Sequence, residues 1–132
     1  MTEDRKALVY VSIPVEVLTW EQAKKLQAEV AALLDPETQE AVFNNAALNG
    51  PDDDPQRAWK HLSKAMLLIG ECDAVLFAPG WNHFPHFVCS VEFEAAIRAH
   101  KKCLYCWRDA ERNLRPVNMK HCGGPERKEE EE

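Results

Sequence analysis

Residues 73–96 read DAVLFAPGWNHFPHFVCSVEFEAA. The run from Asp73 to Pro79 is apolar between its ends, the character of a strand covered on both faces. It breaks at Pro79-Gly80-Trp81, crosses a loop holding His83 and His86, and resumes as a helix expected over residues 88–100. A buried strand feeding through a loop into a helix is half of a βαβ unit, so this stretch points to an α/β fold.

Upstream, KALVYVSI (Lys6 to Ile13) is a second buried-strand run, stopped by Pro14. Thr19 with Gln22 three residues on forms a capping box, and Trp20, Ala23, Leu26, Val30, Leu33 and Leu34 recur at helical spacing, which predicts a helix over 20–34. EAVFNN (Glu40 to Asn45) is short and apolar enough for a strand, and NGPDDDP (Asn49 to Pro55) reads as an exposed loop. A second helix is expected from near Pro55, with Trp59, Leu62, Met66 and Ile69 on one side and Gly70 at its end. KCLYCW (Lys102 to Trp107) is the last strand. Strands alternating with helices of this length predict a mostly parallel sheet of four to five strands in one domain over residues 1–108. Residues 109–132 are expected to be an irregular extension with a disordered acidic tail, because the final eight hold five glutamates against two basic residues.

The 132 residues fit a single core, and no apolar run approaches the ~20 residues of a membrane span. The N-terminus lacks the apolar region of a signal peptide, so a cytoplasmic location is expected. Net charge is −6 with no basic stripe, which argues against a nucleic-acid polymer as partner and favours a small molecule or a protein. Five cysteines are an odd count without a secreted-scaffold rhythm; most are expected to be reduced and to pack as small hydrophobes. Cys103, Cys106, His121 and Cys122 are four zinc-compatible side chains, but positions three apart on a strand point to opposite faces. A turn over 102–107 would reverse that argument. His83, His86 and Cys89 lack a fourth ligand. No metal or cofactor is expected.

In open α/β sheets ligands bind beyond the carboxyl ends of the strands. Two segments meet that condition: SIPVEVLT (Ser12 to Thr19) and PGWNHFPHFVCS (Pro79 to Ser90). Glu92 and Glu94 follow the second. Two helix residues two apart face different ways, so they do not share one site. A place near the helix N-terminus explains Glu94 through the helix dipole, and leaves Glu92 either equally explained or reactive. Trp81 could stack on a base or cap the sheet edge. Asp73 is expected to accept a hydrogen bond at the loop–strand junction.

Strand-Pro79-Gly80-Trp81, a short loop, a helix opening Cys89-Ser90-Val91-Glu92 with Ala95-Ala96 behind it, then HKKCLYCW, together resemble the nucleoside 2-deoxyribosyltransferase-like superfamily, in particular its small phage and bacterial members of unassigned function. LVYVSIPV is similar to their first strand and ligand-facing turn. The resemblance implies a flavodoxin-like three-layer sandwich that binds a nucleoside or nucleotide. It also implies Glu92 as the nucleophile of a transferase or hydrolase at the sugar's anomeric carbon, and a homo-oligomer. Ser12, Ile13, Pro14, Gly80, Trp81, His83, His86 and Ser90 would contact substrate; Ser12 and Glu16, which flank the first turn, could touch a ribose hydroxyl. Two departures stand out: Ile13 where the family has glycine, and Phe87-Val88 where it has a small residue. A non-catalytic nucleotide-ligand binder on the same fold, or a protein-interaction module, are the alternatives.

Overall fold

Strand β1 (Ala7–Ser12) forms from a run of β-branched, aromatic and aliphatic residues with no glycine or proline. In the computed structural model, which describes residues 6–45, 56–79, 87–111, 114–116 and 120–121, β1 is an inner strand. β2 (Gln39–Val42) pairs with it in parallel on one side and β3 (Ala74–Phe77) on the other; β4 (Lys102–Arg108) continues in parallel beyond β3. The order β2-β1-β3-β4, all parallel, is that of a flavodoxin-like α/β sandwich.

Helix α1 (Trp20–Ala31) opens on the predicted capping box: the Gln22 N–H donates to Thr19 Oγ1 at 3.1 Å and the Thr19 N–H to Gln22 Oε1 at 2.9 Å. Its helical hydrogen bonds end before residue 34, because Leu33 and Leu34 donate instead to the carbonyls three residues back and tighten the last turn. The second helix is interrupted. α2 (Arg57–Lys60) stops at His61, and α3 (Leu62–Glu71) runs through Gly70 rather than ending there. Nothing lies within 4 Å of a side chain placed at Gly70, so this glycine answers no crowding, and the extended Cys72 terminates the helix instead. α4 (Val88–Arg98) follows β3.

The period-two alternation of the strands sorts the core into two layers. Val9, Val11 and Ile13 pack under Ala23, Leu26 and Val30 of α1, with Leu76, Leu104 and Cys106 alongside. Tyr10, Val75, Phe77 and Cys103 face the other way, under Ala65 and Ile69 of α3 and Ala96 of α4. Asp73 has the expected junction role: its Oδ2 accepts the Leu8 N–H at 2.8 Å, while its own N–H donates to the Leu8 carbonyl.

Two findings depart from expectation. Residues beyond 108 add β5 (Leu114–Pro116) and β6 (Lys120–His121), both antiparallel to β4. These strands of three and two residues form by pairing with β4's outer edge and are too short for a hydrophobic period of their own. Cys103 is disulfide-bonded, so the expectation of reduced thiols fails there and a zinc thiolate at this position is removed; Cys72, Cys89 and Cys106 are free. Strand geometry over 102–107 also sets Cys103 and Cys106 in opposite layers. The loop Asn49–Pro55, Cys122 and the acidic tail lie outside the described residues. No helix among the described residues is long and apolar enough to cross a membrane.

Candidate active site

Tyr10 and Ser12 are two apart on β1 and share the face that α4 covers. α4 brings Glu92 down onto them. The Tyr10 hydroxyl donates to Glu92 Oε2 at 2.7 Å, and the Ser12 hydroxyl donates to Glu92 Oε1 at 2.5 Å. All three side chains are buried, with residue exposures of 2%, 1% and 4%. Each carboxylate oxygen therefore carries one hydroxyl donor, an arrangement that holds the group in one orientation at the carboxyl end of the sheet.

A carboxylate taken out of water is costly unless it is hydrogen-bonded. Burial pushes Glu92 up to about 7, the Ser12 and Tyr10 hydroxyls pull against that rise, and the charge of Glu16 adds to it. The same packing raises the Tyr10 phenol, first through burial and then through the neighbouring Glu92 charge. Burial likewise pushes the Cys89 thiol up, with Glu92 adding to it, so Cys89 is held as a neutral thiol beside the carboxylate. At neutral pH Glu92 is thus poised between its acid and its base forms, the condition in which a carboxyl group changes charge readily.

Glu16 stands in the 3₁₀ turn Val15–Val17 that follows β1. Its Oε2 accepts the N–H of Val88, the first residue of α4, at 2.6 Å, and its Oε1 is buried with no hydrogen-bond partner among the described residues.

Of the residues singled out from sequence, Glu92 and Ser12 are brought together. Pro14 is buried at the start of the 3₁₀ turn. Ile13 is not presented to Glu92: it faces the opposite layer, packed with α1, because its neighbour Ser12 takes the α4 side. Ser90 is also turned away. It lines an open groove of about 630 Å³ with Met66, Phe93 and Arg98, because a two-residue step on a helix rotates a side chain by about 200°. Glu94 lies in that same groove and pairs with Arg98 at 3.7 Å across exposed side chains, a surface contact of small worth. Gly80, Trp81, His83 and His86 lie outside the described residues. Tyr10 is the residue that sequence reading missed. Its signal was its place two before Ser12, which puts both hydroxyls on one strand face.

Tyr10→Phe keeps the ring and removes one donor. The Glu92 midpoint is expected to move above its wild-type position near 7, as read by carbon-13 NMR of glutamate-labelled protein. An unmoved midpoint would mean that the Tyr10 hydroxyl does not support the charged form.

No family model, curated protein or solved structure matches this chain.

Proposed function

We propose that this protein is a nucleoside or nucleotide N-glycosidase or 2-deoxyribosyltransferase that uses Glu92 as a carboxylate nucleophile. The observation that supports this reading is the Glu92 carboxylate, buried at the carboxyl end of a parallel sheet and held on each oxygen by a hydroxyl from β1. A surface glutamate that merely favoured a helix would have neither feature.

In the proposed reaction a Glu92 oxygen attacks the anomeric carbon as the bond from that carbon to the base nitrogen breaks. The base keeps the bonding pair and takes a proton from water. A carboxylate suits this step because the sugar passes through an oxocarbenium-like state. Water, or the nitrogen of a second base, then attacks the same carbon. The ester pair returns to Glu92 and the attacking group gives its proton to solvent. Water gives hydrolysis; a second base gives transfer. Tyr10 and Ser12 orient the carboxylate and stabilise its charge when it leaves the sugar.

The test is incubation with deoxynucleosides and their monophosphates, following free base by chromatography. Base release is expected, with kcat/KM about tenfold lower at pH 6 than on its plateau above pH 8, because attack needs the ionised form of a group that titrates near 7. No base release from any member of the panel sinks the enzymatic reading. Thermal stabilisation by a nucleotide without turnover would then favour the non-catalytic binder instead. A homo-oligomer in the cytoplasm belongs to the same proposal, and sedimentation of the purified chain checks the assembly state.

A further inference from the structure

The first N–H groups of a helix have no partner within it, and a side chain at the N-cap usually supplies one. α4 has no such help: its N-cap is Phe87, which makes no side-chain cap bond, and its first turn contains no acidic residue. The acceptor arrives instead from 72 positions upstream, where Glu16 Oε2 takes the Val88 N–H at 2.6 Å. A short, charge-assisted bond at the positive end of a helix dipole is a strong tie for its size. Glu92 lies four residues after Val88, one turn along, so the tie that fixes the start of α4 also fixes where the Glu92 carboxylate is carried.

We propose that Glu16 is a positioning residue for the reaction assigned to Glu92: it joins the turn after β1 to the start of α4 and sets a second negative charge against the nucleophile. The role in catalysis rests on the reading of Glu92 given above. The joint itself does not. A local serine or aspartate at position 87 would cap α4 equally well, so capping alone does not account for a carboxylate reaching in from another element. Nor does capping need the second oxygen, Oε1, which is buried without a partner among the described residues, a cost that packing would ordinarily avoid. A charge within electrostatic reach of Glu92 accounts for the choice of a carboxylate at this joint.

Among the described residues the titratable groups that act on Glu92 or are acted on by it are Tyr10 from β1, Cys89 from α4 itself and Glu16 from the 3₁₀ turn, with the Ser12 hydroxyl completing its contacts. Burial keeps Tyr10 and Cys89 neutral, which leaves Glu16 as the charged neighbour. Its charge adds to the upward push on Glu92 that burial begins.

Two variants separate the tie from the charge. Glu16→Gln keeps an oxygen able to accept the Val88 N–H and removes the charge; Glu16→Ala removes both. In Glu16→Gln the Glu92 midpoint, followed by carbon-13 NMR, is expected to move to lower pH. Glu16→Ala is expected to lose kcat for base release at least about tenfold with little change in KM, because the carboxylate is no longer held in line with the sugar. Glu16→Gln should restore most of that loss. An unmoved Glu92 midpoint in Glu16→Gln overturns the proposal, and so does full kcat in Glu16→Ala. The NMR measurement needs no turnover and uses the conservative variant, so it stands even if Glu16→Ala does not fold. A wild-type protein that releases no base while its Glu16→Gln variant shows the moved midpoint would sink the nucleophile reading and leave the Glu16–Glu92 coupling in place.

Discussion

Glu92→Gln is expected to lower base release by at least about 10³-fold and yet to unfold at higher urea concentration than the wild type at pH 8. The activity loss follows from removing the nucleophile: an amide oxygen of the same shape cannot form the sugar ester. The gain in stability follows from what the carboxylate costs where it is. Its folded-state value, about 7, lies above the ordinary 4.5 of an exposed glutamate. Between those values the folded protein binds more protons than the unfolded chain, so the contribution of this group to stability falls as pH rises. The penalty is absent below about pH 4.5, grows through the window and is complete above about pH 7. At about 1.4 kcal/mol for each pH unit of difference it totals roughly 3 kcal/mol. Glutamine has no such titration. Its amide can still accept from one of the Tyr10 and Ser12 hydroxyls and donate to the other, so the buried cluster stays satisfied. Urea unfolding of both proteins at intervals from pH 5.5 to 8 checks this. The stability gap should widen in favour of Glu92→Gln across the range. A gap that stays constant with pH would mean that Glu92 does not titrate as a buried group, and the functional reading would lose its main support.

A residue that weakens the fold at the pH where it acts is one that packing alone would replace. Glu92 was visible in the sequence through the resemblance, in which a helix opening Cys89-Ser90-Val91-Glu92 after Pro79-Gly80-Trp81 implies a nucleophile; its place near a helix start alone left it equally explained by the helix dipole. The residues that make it a site were much harder to see. Tyr10 sits in the run LVYV, where an aromatic side chain reads as ordinary strand core, and only α4, arriving from 82 residues away, turns its hydroxyl to a purpose. Glu16 reads as a loop acid that could touch a ribose hydroxyl, and nothing local to it signals the tie to Val88. Contacts between residues so far apart in the chain leave no local trace. Ile13 and Ser90 stand close in sequence to Ser12 and Glu92, yet strand alternation and helix rotation turn both away from the site.

The fold was legible where one segment carries its own pattern. β1, β3 and the capping box of α1 could be read directly, since each depends on residues within a few positions of one another. β5 and β6 could not, because what makes them strands is the exposed edge of β4 rather than anything in LRP or KH. Gly70 misled for a related reason. A glycine after an apolar helical run signals a stop, but α3 continues one residue further, because the hydrogen bond that ends it is made by Cys72 to Ile69.

Phe77→Ala is expected to cost about 3–5 kcal/mol of stability. Phe77 has no solvent exposure and sits on β3, between Ser12 of β1 and Tyr105 of β4 in register. Neighbouring residues in register point to the same side of a sheet, so its ring lies on the α4 face beside Ser12. There it meets Phe93 edge-on at 5.6 Å and stacks on Tyr105 at 5.8 Å. Truncation loses the transfer energy of the ring, leaves a cavity between the sheet and α4, and breaks two aromatic pairs worth about 0.5–1.5 kcal/mol each beyond their buried area. Against a total of about 5–15 kcal/mol for a domain, that is a large share, and urea unfolding will show it as a lower midpoint at unchanged slope. Phe77→Leu, which keeps most of the volume, should recover more than half of the loss. The measurement also bears on the site. Phe93 follows Glu92 in the chain, and its contact with Phe77 is part of what presses α4 onto the sheet. A cost below about 0.5 kcal/mol, the range of surface substitutions, would mean that α4 is not packed there. Glu92 could then not lie within hydrogen-bond distance of Ser12, and the buried carboxylate on which the proposed chemistry depends would not exist.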